Sequence, residues 1–373
     1  MADLNVNSIG DASGGNTATI NTFTPTLSNM AGRNRIINGD MRISQRYGGA
    51  SVAAGNSYTL DRWVVRTDTG SGNTTQQSTT APAGFKNSLI VAIGTGASPT
   101  TTQRNYIQQN IEGLNLSDMG FGTASAATFT ISFWVQSSLT GTFGGVCINS
   151  DNTRSYPFTY VINSPNTWEQ KSLTIAGDTS GSNWITTNGV GLQLLFDLGS
   201  GATFQGTAGA WATADYRAAS GCVQLAATSG ATFYITGVQL EAGSVATPFE
   251  HRQYGQELAL CQRYYLQYGK GEDLFGIAGG YFSSTEANAC IQFPVSMRTA
   301  PTLTAASGSD YYRFYRAGGS NSVTTLLANG TAVSHINLTA QSGQGASGTA
   351  GNFAMLQIRG ASAGGLVQLS AEL

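Results

Sequence analysis

The stretch ATFTISFWVQSS, residues 127–138, decides the fold class because apolar and polar side chains alternate along it without interruption. The apolar positions are Phe129, Ile131, Phe133 and Val135, and the positions between them are Thr130, Ser132, Trp134 and Gln136. In an extended chain, successive side chains point to opposite faces. A period of two residues therefore predicts a β-strand with one face in a hydrophobic core.

The same alternation recurs elsewhere, separated by turns rich in Gly, Ser and Asn. It is found in NYIQQNIEG (105–113), YPFTYVIN (156–163) and GVGLQLLFDLG (189–199). Many short strands with almost no helical periodicity are typical of an antiparallel sandwich, and a jelly roll is its natural closure. A parallel β-helix would require similar rungs at a fixed period, and none recurs here. We therefore predict an all-β, antiparallel jelly-roll sandwich.

The last core strand of this sandwich is predicted in TFYITGVQLEAGSVATPFEHR, residues 232–252. Phe233 and Ile235 point to one face, and Gly237 is expected to interrupt the pleat as a bulge before Val238 and Leu240 resume burial. Pro248 then ends the pairing. Beyond it, a short helix or turn is predicted from the spacing of Leu258, Cys261 and Tyr265.

The chain divides into four segments on this pattern. Residues 1–32 are rich in Asn, Thr, Ser and Gly and contain too few apolar residues for a core of their own. Residues 33–250 form the jelly roll, residues 251–268 the linker, and residues 269–373 a small β tip domain. A tip of about a hundred residues is marginal as a monomer, so we expect copies to bury a face together, with a homotrimer as the preferred closure.

Composition excludes several function classes. Only 10% of the 373 residues are charged, against about 25% in an average domain, and the formal net charge is −2. No basic field is available for nucleic acid. No secretory signal or apolar stretch long enough to span a membrane is seen, so we expect synthesis in a cytoplasm and no membrane insertion. The four cysteines are widely spaced, which indicates free thiols rather than a zinc site or disulfides.

Several spaced motifs together resemble the tail fibre or receptor-binding structural proteins of tailed bacteriophages. They are NRIINGDMRISQR (34–46), LDRWVV (60–65), FTISFWV (129–135), ATFYITGVQLEAGSVATPFEHR (231–252), ELALCQRYY (257–265) and LVQLSAEL (366–373). The resemblance covers roughly residues 33–268, and the last hundred residues more loosely. Strands that end in a QLE-x-G sequence, as residues 239–243 do, also occur in carbohydrate-binding jelly rolls.

The resemblance implies a homotrimeric protein of the virion tail. Residues 1–32 would attach it to a tail or baseplate protein, and its distal part would bind a glycan on the host surface without cleaving it. Two alternatives remain open at this point: a fibre that depolymerises the glycan, and a structural adaptor or head decoration protein without receptor contact.

Candidate catalytic residues are few. The two histidines, His251 and His335, have no recognisable nucleophile beside them in the sequence. A glycan-cleaving fibre would use a pair of carboxylates across a cleft. The available ones are Asp40, Asp61, Asp197, Asp215 and Glu241, and we interpret them as turn caps, solvated strand ends or partners of arginines. No catalytic residue is therefore assigned, and no cofactor is expected.

Sugar recognition requires aromatic rings beside directional polar groups. Two regions meet this requirement: DYYRFYRAGG (310–319), and the loop-like segments GAWATADYRAAS (209–220) and SGSNWITTN (180–188). The glycan-binding candidates are Tyr311, Tyr312, Arg313, Tyr315, Trp211, Tyr216 and Trp184. Trp63, Trp134 and Trp168 lie in stronger strands and are assigned to packing. Asp40 and Glu241 suggest a structural calcium between the first and last strands of the sandwich.

Overall fold

The computed structural model describes residues 32–181 and 183–373, and these form two compact units. The first unit ends at Arg252 and the second is Gln253–Leu373. The proposed attachment segment, residues 1–32, lies outside the described residues except for Gly32. Within the described part of the chain, no helix is long and apolar enough to cross a membrane.

The first unit is a sandwich of two antiparallel six-stranded sheets, as predicted. Its strands are β1 (Val52–Ala53), β2 (Ser57–Leu60), β3 (Trp63–Thr67), β4 (Thr74–Ser78), β5 (Ser88–Ala92), β6 (Asn105–Glu112), β7 (Phe129–Ser137), β8 (Gly141–Ile148), β9 (Ser155–Ile162), β10 (Glu169–Ile175), β11 (Val190–Asp197), β12 (Gln205–Gly206), β13 (Ala218–Ala219) and β14 (Thr232–Ala242). One sheet has the order β1-β4-β5-β14-β7-β10 and the other β2-β3-β6-β11-β8-β9. The short pair β12 and β13 is parallel. Single 3-10 turns lie at Gly113–Asn115, Ser117–Met119, Ala202–Phe204 and Leu225–Ala227. The all-β jelly-roll prediction is confirmed.

Alternating side chains from both sheets fill the space between them. Phe129, Ile131, Phe133 and Val135 of β7 are all fully buried, as the sequence pattern predicts. The ring of Phe133 meets Phe196 of the opposite sheet edge-on at 4.9 Å between centroids. Each such side chain contributes about 1.5–3 kcal/mol by leaving water, so this interlayer core accounts for the stability of the first unit.

The bulge predicted in β14 is present at Gly237. The register of β14 against β7 shifts between Thr236 and Gln239. Gly237 has φ +60°, and a Cβ atom there would lie 2.7 Å from the ring of Phe85. A residue without a side chain is therefore required, and the bulge lets Val238 and Leu240 return to the core.

Residues 33–41, here called the N-terminal clamp, cover this bulge from outside. The buried Asn34 side chain accepts hydrogen bonds from the amides of Leu240 (3.2 Å) and Ile36 (2.9 Å), and it donates to the carbonyl of Val238 (3.2 Å). The amide of Val238 donates to the carbonyl of Gly39 at 3.0 Å. The motif NRIINGD thus satisfies the backbone groups that the bulge removes from the ladder.

The second unit is also built mainly of strands. It contains α1 (Tyr254–Gln262), β15 (Tyr265–Tyr268), β16 (Asp273–Ser283), β17 (Glu286–Gln292), β18 (Thr302–Ala305), β19 (Tyr312–Arg316), β20 (Gly319–Val323), β21 (Leu327–Thr331), β22 (His335–Gln341), a 3-10 turn at Ser342–Gln344, β23 (Phe353–Arg359), α2 (Gly360–Ala363) and β24 (Val367–Ser370). A seven-stranded sheet runs β20-β19-β23-β16-β17-β22-β21, and a three-stranded sheet runs β15-β24-β18. Their facing side chains form a second core.

The expected linker, residues 251–268, contributes two of these elements. Helix α1 ends at Gln262, before Tyr265, and Tyr265 begins strand β15. Residues Tyr265–Tyr268 pair with Val367–Ser370 of β24, so the backbone that was expected to lead between domains is part of the second unit's own sheet. Tyr265 is buried through this pairing rather than on a helix face.

Candidate functional site

Two of the predicted loop tryptophans meet beside the sandwich core. The rings of Trp184 and Trp211 lie 5.5 Å apart and perpendicular to each other. Trp211 also meets Tyr156 of β9 at 5.3 Å, and Trp184 meets Phe121 at 4.9 Å. The aromatic residues Tyr156, Trp184 and Trp211 remain half-buried, so the cluster joins the core to the surface.

The loop that carries Trp211 is fixed onto strand β9 by backbone bonds. Ser155 and Ala212 exchange both amide-to-carbonyl hydrogen bonds, at 2.8 and 3.0 Å. The indole nitrogen of Trp211 donates to the carbonyl of Ala176 at 2.8 Å. These bonds hold the ring in one orientation, as an aromatic platform requires.

An ion pair stands in the same set of loops. Arg154 donates two parallel hydrogen bonds to Asp178, Nε to Oδ2 at 2.7 Å and Nη2 to Oδ1 at 2.6 Å. A third bond joins Arg154 Nη1 to Thr213 Oγ1 at 3.0 Å. Hydrogen bonding to Asp178 raises the pKa of the Arg154 guanidinium, so it stays charged. A bidentate pair with a buried partner is rigid and leaves the guanidinium in a fixed direction.

The polar groups surround a recess of about 290 Å³. It is lined by Thr153, Arg154, Ser180, Gly181, Asn183 and Thr213. Asn183 has φ +73°, a conformation in which Asn is enriched, and its side-chain amide donates to Asp151 Oδ2 at 2.5 Å. We call these six residues together with Tyr156, Trp184 and Trp211 the loop-end site.

A second recess of about 280 Å³ is lined partly by the same strand and loop. Its lining residues are Tyr156, Phe158, Thr159, Leu173, Thr174, Ile175, Ala208 and Gly209. In the chain, Trp211 lies between Gly209, which lines this recess, and Thr213, which lines the first. Apolar ring surface next to hydroxyl, amide and guanidinium groups is a surface able to bind sugars.

Tyr216, the third candidate in these loops, packs elsewhere. A Cβ atom at Gly206 of β12 would overlap the Tyr216 ring. The backbone amide of Tyr216 donates to Ser155 Oγ at 3.3 Å, and its neighbour Arg217 pairs with Asp215 at 2.6 Å. Tyr216 therefore supports the loop that carries Trp211.

The tyrosines of the tip region separate into two groups. Tyr312 is fully buried, and its hydroxyl donates to the carbonyls of Ala306 (2.9 Å) and Leu366 (2.8 Å). Its ring therefore cannot reach a glycan, so the expectation for Tyr312 has to be corrected. Tyr311 precedes β19 and packs against the second core. It lies outside strand β19, which begins only at Tyr312.

Arg313 and Tyr315 are the two members of this group on the open face of the sheet. Arg313 pairs with Asp310, with Nε to Oδ1 at 3.1 Å and Nη2 to Oδ2 at 2.5 Å. The hydroxyl of Tyr315 is 3.0 Å from Gln357 Oε1, and its ring meets Phe275 at 5.2 Å.

The two carboxylates suggested for calcium already have protein partners. Asp40 pairs with Arg42. Glu241 accepts from Thr247 Oγ1 at 2.6 Å and from the amide of Thr247 at 2.9 Å. Among the described residues, no group of three or more His, Cys, Asp or Glu residues is arranged to hold a metal ion. The calcium hypothesis stays a prediction.

The histidines and the carboxylate considered for acid–base chemistry either contact other side chains or are buried. His251 packs against Phe249 at 4.9 Å and Phe85 at 5.3 Å, and His335 lies 3.1 Å from Ser334 Oγ. Burial raises the pKa of Asp197 to about 7, but this carboxylate is only 1% exposed and a substrate could not reach it as the chain stands. Cys147 and Cys222 are buried free thiols, Cys261 is buried, and Cys290 is half-buried.

Sequence reasoning missed the polar half of the loop-end site. Arg154, Asp178 and Thr213 lie on three different connections. The bridge between Ser155 and Ala212 brings Thr213 beside Arg154, and the bidentate ion pair joins Arg154 to Asp178. The only local signal is that Asn183 stands directly before Trp184. The sequence therefore indicates the aromatic residues but not their partners.

Comparisons with known proteins give no family assignment. No protein-family model matches the chain, and no curated protein sequence matches it significantly. Among solved structures, the enzymatically active domain of tailspike protein 4 of bacteriophage CBA120 aligns over 56% of this chain and 21% of its own, with 14% identity and a TM-score of 0.31. This chain thus spans about a fifth of the length of that domain.

Carbohydrate-binding modules are also among the similar structures. The C-terminal family 22 module of Clostridium thermocellum Xyn10B aligns over 52% of this chain and 95% of its own, with 13% identity and a TM-score of 0.28. The family 11 module from Clostridium thermocellum, in complex with a β-1,3-1,4-mixed-linked tetrasaccharide, aligns over 53% and 98%, with 9% identity and a TM-score of 0.27. All three TM-scores are below 0.5.

Proposed function

We propose that this chain is a fibre protein of a phage virion tail that attaches the particle to a glycan on the host surface by non-catalytic binding. The observation that carries the proposal is the loop-end site, where Trp184 and Trp211 stand in contact beside the fixed Arg154–Asp178 pair. The motif resemblance supports the virion assignment.

The aromatic and the polar residues of the loop-end site would contact different parts of the sugar. The half-buried indoles offer apolar surface for the C–H faces of a sugar ring. Thr153, Asn183 and Thr213 offer hydroxyl and amide groups that orient the sugar hydroxyls. The Arg154 guanidinium has further N–H groups besides those that bond Asp178 and Thr213, and these can donate to sugar hydroxyls.

We expect binding without cleavage, because both oxygens of Asp178 already accept hydrogen bonds from Arg154 and are not available to act on a substrate. Attachment would then depend on several weak contacts made at once by a homotrimer, held to a tail or baseplate protein through residues 1–32.

The proposal is tested with the full-length chain on an array of bacterial surface oligosaccharides, followed by calorimetric titration of the best oligosaccharide. Trp211→Ala should weaken binding at least about 10-fold, because a central aromatic contact is removed. Thr213→Val, which keeps the side-chain shape, should weaken it less. Trp168→Ala is the matched control, because Trp168 is a half-buried tryptophan that contacts Tyr234 away from the site.

Three results would reject the proposal. A chain that binds no oligosaccharide favours the adaptor or head decoration alternative. Equal affinity of Trp211→Ala and wild type would exclude the loop-end site. Release of reducing ends from the bound polysaccharide would assign a depolymerase instead.

A further inference from the structure

The open face of the seven-stranded sheet in the second unit carries an apolar stripe. Its aromatic members are unusually exposed for residues within strands: Phe275 by 53%, Phe282 by 77% and Phe353 by 63%. Ala278 and Met355 are register partners on β16 and β23 and lie between them. We call these five residues the tip stripe.

The tip stripe lies on the central strands of the sheet rather than at its edges. β16 is the fourth of the seven strands and β23 is its neighbour. On the opposite face of β23, Ala354, Leu356 and Ile358 are fully buried against the second core, which includes Leu369 and Val367 of the three-stranded sheet. One face of these strands is therefore closed within the unit, while the face with three phenylalanines is open.

We infer that the tip stripe is an interface between copies of this chain. An apolar surface of this kind is stabilised by a second apolar surface of matching extent. The tip stripe contains no charged side chain, so apposing it with a copy of itself buries no like charges. The inference shares with the proposed function only the expectation that copies associate, and it does not depend on glycan binding.

The flanks of the stripe carry opposite charges. Arg313 lies on the open face of β19 on one side, and Glu286 on that of β17 on the other. Both side chains already have partners within their own copy, Arg313 with Asp310 and Glu286 with Asn288. A second copy can therefore cover the stripe without leaving either charge unpaired.

The available area suits a stable interface. With about 200 Å² for a whole aromatic side chain, the exposed parts of the three phenylalanines provide about 400 Å² per copy. Met355, Ala278, Tyr315 and the polar flanks add to this, toward the roughly 800 Å² per partner of a standard interface. An exposed apolar area of this size is larger than scattered single surface residues provide, and it is consistent with association between subunits.

The test is the mass of the full-length chain by light scattering at concentrations up to about 50 µM. Wild type should be oligomeric. Phe275→Thr, Phe282→Thr and Phe353→Thr combined should weaken association at least about 100-fold with an unchanged circular dichroism spectrum, because threonine keeps the strand propensity but removes the apolar area. Leu327→Thr is the matched control, since Leu327 is an exposed apolar strand residue of the same sheet outside the stripe.

If the triple variant does not fold, Ala278→Lys serves in its place, because one charge per copy at the centre of the interface should also separate the copies. A monomeric wild type, or an oligomer that persists in a folded triple variant or in Ala278→Lys, would overturn the inference. Glycan binding that is lost in the triple variant but kept in Trp211→Ala would assign the stripe to the receptor and overturn it as well. An intact oligomer that binds no glycan would reject the proposed function alone.

Discussion

Asp197 is the residue whose surroundings most change its chemistry. It is the last residue of the buried strand β11, and its Oδ1 accepts from Ser200 Oγ at 2.8 Å and from the amide of Gly199 at 3.1 Å. Burial raises the pKa of Asp197 to about 7, and these two hydrogen bonds only partly oppose the shift. Its Oδ2 has no hydrogen-bond partner among the described residues. The folded chain therefore favours the protonated carboxyl.

This carboxyl should make the first unit less stable as the pH rises. Because the pKa is higher in the folded state than in the unfolded state, the stabilisation is fully present below about pH 4 and is lost as the pH rises through about 7. The shift corresponds to roughly 3–4 kcal/mol over this range. Asp197→Asn cannot titrate, and its Oδ1 can still accept both hydrogen bonds. We expect it to abolish most of the slope.

Urea unfolding at about pH 4.5, 6 and 8, which spans the titration through about 7, measures the effect. The five tryptophans all precede residue 252, so their fluorescence reports on the first unit. Asp118→Asn, which removes a surface partner of Arg35, should leave the slope within about 0.5 kcal/mol of wild type. A steep slope retained in Asp197→Asn would show that another group causes it.

At the scale of elements, the N-terminal clamp and the bulge of β14 depend on each other. Asn34→Ala would leave the amides of Leu240 and Ile36 and the carbonyl of Val238 without their buried partner. Since each unsatisfied buried group costs about 1–3 kcal/mol, we expect a loss of about 3 kcal/mol in the free energy of unfolding after partial relaxation. Asn34→Asp keeps the acceptor and should lose less.

The measurement is again tryptophan fluorescence in urea. Asn163→Ala is the control, because Asn163 is an exposed loop residue that bonds Glu169, and it should cost less than about 0.5 kcal/mol. If Asn34→Ala were as stable as the control, the N-terminal clamp would not contribute to the stability of the sandwich.

The elements also show which features the sequence can predict. Local periodicity was sufficient for β7 and β14, because burial on one face leaves a period-two signal, and Gly237 marks the bulge since the backbone there needs a positive φ. It failed for Tyr265, whose spacing fits a helix but whose backbone pairs with β24, a hundred residues away. The burial of Tyr312 was not predicted, and the place of Arg154 in the loop-end site was not foreseen, for the same reason. Which face is covered, and which loop meets which, depends on long-range pairing.

At the scale of the whole molecule, one variant can separate the roles proposed for the loop-end site and the tip stripe. If several copies hold their glycan sites on one particle, attachment to a surface gains from the effective concentration of neighbouring sites, by about 10²–10⁴-fold over one site. The combined Phe275→Thr, Phe282→Thr and Phe353→Thr variant should therefore keep wild-type affinity for a soluble oligosaccharide in calorimetry. Its retention on a surface coated with the same glycan should fall by about that factor. Trp211→Ala should lose both, and Leu327→Thr neither. Full surface retention by a monomeric triple variant would mean that single glycan sites suffice for attachment and that the association of copies serves some purpose other than adhesion.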